Sequence, residues 1–219
     1  MQLQRTWRRL LRQVLSQVHR AHSTARQVLR AAQMTRAFVQ MNFTEWSDAL
    51  LDSFGGYYNV RKLEPDDDFF GTMVYHARDE KYVLTASAKL WAAESHEYAY
   101  MISVDHLDLA TAKEKIDLAM EYGMQCIKPH SEHMKSTVTA LFVCQTCDKD
   151  AAKYIARFSK SKAYKFSLHG WMYGRAICLE CGAASVHAGN SGRDMADYIK
   201  KRIKSAEKEE KKALKASAE

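Results

Sequence analysis

Two short cysteine-containing segments place the strongest constraint on how this chain can fold. Residues 144–148 read CQTCD and residues 178–182 read CLECG, so each segment holds a Cys-x-x-Cys pair. This spacing lets two thiolates of one turn reach the same ion, and four thiolates in a tetrahedron are a common structural zinc site. If the two turns meet, they join parts of the chain that are separated by 30 residues.

The residues around the two pairs are compatible with two turns that face each other, although the sequence does not establish that they meet. Each pair follows a strand-like run, 137–144 and 163–179, and a helical pattern over 149–158 lies between the runs. Two strands joined through a helix run parallel, so their carboxyl ends lie at the same edge of the sheet. The sequence therefore predicts a structural zinc ion held by Cys144, Cys147, Cys178 and Cys181, with no coordination position left open for catalysis.

Two other interpretations of the cysteines remain open. Cys144 and Cys178 continue apolar runs, and an unlinked cysteine often packs in a strand as a small apolar residue. A Cys-x-x-Cys pair is also typical of a redox dithiol. Structural disulfides are not expected, because the chain shows no secretory signal.

The hydrophobic pattern indicates an α+β fold. Runs rich in β-branched and aromatic residues alternate with segments of helical period, in the order αβββα-βα-ββα. We therefore expect a single mixed, mostly antiparallel sheet with helices packed on it. The predicted strands cover residues 69–77, 82–92, 98–106, 137–144, 163–179 and 184–188, with helices at 46–54, 108–123, 149–158 and 193–203.

Charge divides the chain into three predicted parts. Residues 1–40 contain eight arginines and no acidic residue, and they form a basic amphipathic extension. Residues 41–199 form the α/β domain and carry 17 basic and 22 acidic side chains, a net charge of −5. Residues 200–219 form a charged helical tail of net charge +4, which is either a solvated helix or a basic interaction tail.

The basic extension allows several locations for the protein. We expect a cytoplasmic protein in which residues 1–40 precede the domain as an extension from an upstream start codon. An Arg-rich, acid-free amphipathic helix is also typical of organelle targeting and of helices that lie on an anionic membrane surface. No apolar run is long enough for a transmembrane helix.

A histidine-rich loop supplies the candidate catalytic residues. The segment KPHSEHMK places His130, Glu132 and His133 within four residues, between a predicted helix and a predicted strand. A histidine beside a carboxylate can act as a general acid or base near neutral pH. This pattern supports a hydrolase or nuclease-like enzyme as an alternative, although a polar loop that positions the next strand explains the same residues.

Residues 157–175 interleave basic and aromatic side chains. Cations can bind phosphates while rings stack on bases, so the segment is a candidate nucleic-acid surface. A strand with one buried face and one solvated face is an alternative explanation. It would show the same pattern, in which Tyr164, Phe166 and Leu168 alternate with Lys165 and Ser167. The acidic balance of residues 41–199 gives nucleic-acid binding no further support.

Three segments carry a resemblance to a known family. KPHSEHM, RFSKSKAYKFSLHGW and GNSGRDM occur in this order, and the stretch from about 97 to 194 is similar to an uncharacterised bacterial domain-of-unknown-function family. The resemblance implies a bacterial cytosolic origin and no activity. It also implies that four cysteines are not a family feature, so that metal binding would be particular to this member.

Together these patterns favour a non-enzymatic domain that binds a partner and is stabilised by a structural zinc ion. The sequence names no substrate and no partner.

Overall fold

The computed structural model describes residues 43–82 and 89–216, which form four helices and a seven-stranded sheet. The predicted extension 1–40 lies outside the described residues. In chain order the elements are α1 (Phe43–Ser53), β1 (Asn59–Lys62), β2 (Gly71–Tyr82), β3 (Lys89–Leu107), α2 (Leu109–Cys126), β4 (His133–Cys147), α3 (Lys149–Arg157), β5 (Lys160–Ala163), β6 (Trp171–Glu180), β7 (Ser185–Ala188) and α4 (Arg193–Ala216). The predicted α+β class with helices on one sheet is confirmed.

The sheet is mixed, with its parallel strands at the centre. The strand order is β1-β2-β3-β4-β6-β5, and β7 also pairs with β6. β3, β4 and β6 run parallel, whereas the other four pairings are antiparallel. The parallel pairing of β4 and β6, expected from the helix between them, is confirmed. It brings the ends of these two strands, which carry the cysteine pairs, to one edge.

Helices cover both faces of the sheet. One face packs against α2 and α3, and the other packs against α1 and α4. The first face buries alternate residues of the central strands, including Ala140, Phe142 and Cys144 of β4. The opposite face carries the residues between them, such as Leu141 and Val143, which are also fully buried. Central parallel strands that are covered on both sides are buried throughout, as residues 138–144 are.

The hairpin of β2 and β3 differs from the prediction. The sequence predicts separate strands over 82–92 and 98–106, but a single strand, β3, runs from Lys89 to Leu107. The charged segments RDEK and ESHE were expected to be links, and they lie inside β2 and β3. Arg78 of β2 forms an ion pair with Glu94 of β3 across this hairpin. The short edge strand β1 was not predicted.

The predicted long strand over 163–179 is wrong. β5 ends at Ala163, and the chain turns back to begin β6 at Trp171. Phe166 in this turn is 97 % exposed, so it does not face the core as strand alternation would require. Gly170 has φ 75°, and an added Cβ would lie 2.4 Å from the carbonyl oxygen of Met134. Only glycine fits where the turn passes so close to this neighbouring backbone.

Helix α2 begins as predicted and ends later than predicted. The side chain of Asp108 accepts a hydrogen bond from the backbone N–H of Thr111 at 2.7 Å, which caps the helix. Gly123 was expected to end the helix, but α2 continues to Cys126. A Cβ at Gly123 would lie 2.5 Å from a methyl group of Val138. The missing side chain of Gly123 therefore allows α2 to pack close to β4.

Helix α4 continues through the predicted tail as far as Ala216. Within residues 43–82 and 89–216, the structure contains no helix that is both long and apolar enough to cross a membrane.

Candidate functional site

Three cysteine side chains converge at the carboxyl ends of β4 and β6. The Sγ atoms of Cys144 and Cys178 are 3.5 Å apart. Cys147 at the end of β4 completes the group, and the three Sγ atoms all lie within 4.8 Å of one another. We call these three residues the cysteine triad. The sequence left open whether the two Cys-x-x-Cys segments meet, and the structure brings Cys178 of the second segment to both cysteines of the first.

The geometry of the cysteine triad suits a metal with thiolate ligands. A Zn–S distance of about 2.3 Å in a tetrahedron places neighbouring sulfur atoms about 3.8 Å apart. The Cys144–Cys178 separation of 3.5 Å is close to this value. The remaining separations, up to 4.8 Å, require only small side-chain rotations to close around an ion. The triad can therefore hold a soft divalent ion with three thiolates.

Cys181, the fourth predicted ligand, lies beside the triad and is not one of the three convergent residues. Its backbone N–H donates to the carbonyl oxygen of Cys144 at 2.7 Å, and Gly182 N–H donates to Gln145 at 2.8 Å. These bonds extend the parallel pairing past the end of β6. The Cys181 side chain is 1 % exposed, and burial raises the pKa of its thiol to about 12. The four-thiolate ligand set stays a prediction.

Protonation differs within the triad. A hydrogen bond with Cys178 lowers the pKa of the Cys147 thiol, in spite of partial burial and the nearby Glu180 and Asp148 carboxylates. Hydrogen bonds with Cys144 and Cys147, together with burial, raise the pKa of Cys178 well above its ordinary value. Cys147 therefore ionises more readily than Cys178.

The Glu180 carboxylate lies at the rim of the triad. One oxygen accepts the backbone N–H of Cys147 at 3.3 Å, and the other accepts from Nε2 of His187 at 2.9 Å. Strand pairing places Glu180 and His187 here. Glu180 pairs with Cys144 of the neighbouring β4, and β7, which carries His187, returns antiparallel beside β6. Nothing in the local sequence of His187 indicated this position.

The predicted histidine loop lies at the amino-terminal end of β4 and joins a larger polar network. His130 donates from Nε2 to Glu94 at 3.0 Å, and its Nδ1 accepts the backbone N–H of Glu132 at 3.2 Å. Arg78 bridges Glu94 and Glu132, with a distance of 2.9 Å to Glu132. Both ring nitrogens of His130 are therefore engaged by groups of the domain itself.

His133 is 3 % exposed and is also engaged at both ring nitrogens. Nδ1 donates to the carbonyl oxygen of His169 at 2.6 Å, and Nε2 lies 2.8 Å from the Ser136 hydroxyl. A carbonyl oxygen only accepts, so Nδ1 carries a proton. The ring of His96 stacks on His133 with centroids 6.0 Å apart, and burial lowers the pKa of His96. Sequence reasoning missed His96, Glu94 and Arg78, because they come from strands distant in the chain.

A buried guanidinium lies on the sheet face that α1 and α4 cover. Arg175 is 5 % exposed, and its Nη1 donates to Asp194 of α4 at 2.7 Å. Its Nη2 donates to Glu97 of β3, and its Nε donates to Thr139 of β4 at 2.9 Å. The same guanidinium donates to the carbonyl oxygen of Ser191 at 2.8 Å. This network was not predicted from the sequence.

A cleft of about 430 Å³ opens beside the Arg175 network. Two carboxylates, from Glu97 and Asp194, line it together with Met195. Its aromatic lining consists of Phe54, Tyr57, Tyr58, Tyr75 and Tyr198. Burial and then the negative charge and hydrogen bonding of Glu97 raise the pKa of Tyr58, so its hydroxyl stays protonated. We call this feature the aromatic cleft.

The basic and aromatic segment 157–175 is largely solvent-exposed. Leu168 is 72 % exposed, Trp171 39 % and Tyr173 44 %, and the three lysines of the segment are also exposed. The Lys162 ammonium lies 5.4 Å from the centroid of the Tyr164 ring. The structure therefore leaves these side chains available to a partner, and nucleic-acid binding stays a prediction.

Comparison with known proteins places the chain in a family context. A family model described as a domain of unknown function, DUF8052, matches residues 42–201. Neither a curated protein nor a solved structure matches the chain. The match includes the stretch on which the resemblance to a domain-of-unknown-function family was based, and that resemblance is confirmed.

Proposed function

This chain belongs to the DUF8052 family, and we propose that it is a non-enzymatic partner-binding domain whose fold is stapled by one zinc ion. The observation that carries the zinc proposal is the convergence of three thiols, those of Cys144, Cys147 and Cys178, within 4.8 Å of one another. They come from two neighbouring parallel strands. An ion held there would tie the two strand ends together.

The burial of the triad favours a structural ion over a redox dithiol. Cys144 and Cys178 are fully buried, so an external oxidant or a disulfide substrate reaches them poorly. Zinc has no redox chemistry, and it prefers thiolate ligands in a tetrahedral arrangement. Binding requires loss of the thiol protons, and that of Cys178 is held tightly. Zinc affinity should therefore fall as the pH is lowered.

The state of the histidine loop supports binding rather than hydrolysis. A general base needs a ring nitrogen that can reach the proton of a substrate or a water molecule. The ring nitrogens of His130 are engaged by Glu94 and Glu132, and those of buried His133 are engaged by His169 and Ser136. These bonds position β4 and the loop before it. Hydrolase or nuclease-like activity through His130, Glu132 and His133 stays a prediction.

Metal content tests the zinc proposal. The full chain, free of affinity-tag histidines, is purified, exposed to zinc, dialysed and measured by elemental mass spectrometry. We expect about one zinc per chain, because one tetrahedral site needs the whole triad. Cys178→Ser should lose the metal. Cys126→Ser is the matched control, since this exposed cysteine lies away from the triad.

A Cys181→Ser variant distinguishes two versions of the site. Retained zinc supports three thiolates with a different fourth ligand, and lost zinc supports the four-thiolate set. A wild-type chain that binds no zinc, or a Cys178→Ser chain that keeps it, would refute the proposal.

A further inference from the structure

The aromatic cleft has the composition of a site for an organic cation. Among the described residues, 43–82 and 89–216, its lining consists of five aromatic rings, two carboxylates and Met195, with no lysine, arginine or histidine. The face of an aromatic ring carries negative electrostatic potential, which attracts a cation placed over it. We propose that the aromatic cleft binds a small alkylammonium ion, preferentially a quaternary one.

The charges next to the cleft agree with a positively charged ligand. Glu97 and Asp194 both pair with Arg175, so the three groups together keep one negative charge. The guanidinium lies almost completely buried behind the carboxylates, with a side chain that is 6 % exposed. A ligand in the cleft therefore meets the carboxylates first. The low exposure of the Glu97 side chain, 16 %, strengthens its attraction for a cation, whereas Asp194 is 72 % exposed and attracts one more weakly.

The aromatic rings that line the cleft stand at different angles to one another. Phe54 and Tyr58 are almost perpendicular, with an interplanar angle of 87° and centroids 5.6 Å apart. Tyr75 follows at 57° to Tyr58, and Tyr198 lies 5.0 Å from Phe54. A tetrahedral ammonium with several methyl groups presents positive charge in all directions, so it can contact several such rings together.

A hydrogen bond fixes one of the rings before any ligand binds. The Tyr198 hydroxyl donates to the carbonyl oxygen of Ser53 at 2.6 Å, which ties α4 to the end of α1. Burial and then the negative charge of Glu97 raise the pKa of the Tyr58 hydroxyl, so this hydroxyl lies near the carboxylate. A site with a ring already oriented loses less conformational entropy on binding.

The interactions of Glu97 explain the preference for a quaternary ammonium. Glu97 already interacts with Arg175, Thr139 and Tyr58. A primary ammonium needs three acceptors to replace its lost water, and these oxygens are largely occupied. A quaternary ammonium has no N–H group, so it loses no hydrogen bond on entering the cleft.

Isothermal titration calorimetry of the full chain with choline tests this proposal. Its neutral isostere, 3,3-dimethylbutan-1-ol, has the same shape and lacks the charge. We expect choline to bind at least about tenfold more tightly than the alcohol, because cation–π and carboxylate attraction depend on the charge. Equal affinity for the two compounds would overturn the proposal, as would a lack of binding at about 10 mM choline.

Two pairs of matched variants locate the binding. Tyr75 lines the cleft and is 42 % exposed, whereas Tyr173 is 44 % exposed on the same sheet face and does not line it. Tyr75→Ala should weaken choline binding about fivefold, Tyr75→Phe should preserve it, and Tyr173→Ala should leave it unchanged. Asp194→Asn should also weaken binding, whereas Asp197→Asn, one turn further along α4, should not.

Two results with these variants would refute the proposed binding site. Tyr75 and Tyr173 are both well exposed, so their alanine variants are expected to fold, and thermal unfolding checks this. If Tyr75→Ala binds choline as the wild type does, or if Tyr173→Ala loses affinity to the same extent, the site is not the aromatic cleft. The zinc content of the triad is a separate measurement, so either proposal can fail without the other.

Discussion

Replacing Arg175 with methionine should destabilise the domain more than replacing its exposed acidic partner Asp194. The Arg175 side chain is 6 % exposed and that of Glu97 is 16 % exposed, so Arg175→Met leaves a mostly buried carboxylate without its counter-charge. Breaking a buried ion pair in this way costs about 3–5 kcal/mol of unfolding free energy. Asp194 is 72 % exposed, and its loss should cost no more than about 1 kcal/mol.

Equilibrium unfolding in urea, followed by far-ultraviolet circular dichroism, measures these differences. The double variant Glu97→Met/Arg175→Met removes both buried charges together. It should be about 2 kcal/mol more stable than Arg175→Met alone, because no buried charge is left unpaired. Thr139 and Ser191 still lose their bonds to the guanidinium, so full recovery is not expected. Two results would refute this reasoning: an Asp194→Ala cost equal to that of Arg175→Met, or a double variant less stable than Arg175→Met.

Two further variants test packing and thiol chemistry. Gly123→Ala should lower the unfolding free energy by about 1–2 kcal/mol in a urea titration, because the clash with Val138 outweighs the better helix propensity of alanine. In a Val138→Ala background the same change should become neutral or stabilising, and an unchanged cost would exclude the clash as its cause. In metal-free protein, iodoacetamide should alkylate Cys147 at a lower pH than an ordinary cysteine, because its pKa is lowered and more of it is thiolate. Peptide mapping by mass spectrometry checks this, with buried Cys181 as the slow control; faster labelling of Cys181 would contradict the assignment.

The parallel arrangement that brings the two cysteine segments to one edge of the sheet could be predicted because its signals are local. The strand-like runs before Cys144 and Cys178, and the helical pattern between them, each occupy fewer than 20 consecutive residues. The rule that a strand–helix–strand unit is parallel then places the two ends together. Which sulfur atoms converge is a finer question. It depends on side-chain directions after the end of β6, and the sequence does not fix the direction of Cys181.

The Arg175 network could not be predicted, because its members are distant in the chain. Glu97 lies 78 residues before Arg175 and belongs to ESHE, a segment that local composition marks as a polar link. Four consecutive polar residues are typical of a turn when their partners on other strands are not known. In the sheet, Glu97 of β3 pairs in register with Thr137 of β4. The guanidinium of Arg175, on β6 at the other side of β4, supplies its counter-charge. Only the assembled strand order creates the favourable site for this carboxylate.

The turn between β5 and β6 could not be predicted for a different physical reason. Its residues have strand-forming or neutral side chains, yet Lys165, Phe166 and Ser167 adopt positive φ values of 48°, 53° and 71°. Residues other than glycine rarely adopt this conformation, so their identity gives no signal for it. Gly170 and Gly174 are the local signals in the sequence, and glycine is compatible with a bulge in a continuous strand as well as with a turn.

Strand register connects the cysteine triad with the aromatic cleft. In the β4–β6 pairing, Thr139 is opposite Arg175 and Phe142 is opposite Cys178, so both sites depend on the same alignment. A shift of one residue would move Arg175 to the face covered by α2 and α3, where a charge has no partner. An ion bound to Cys144, Cys147 and Cys178 would oppose such a shift, because its ligands come from both strands. The proposed zinc would thus stabilise the arrangement that holds Glu97 at the floor of the cleft, although the two sites lie on opposite faces of the sheet.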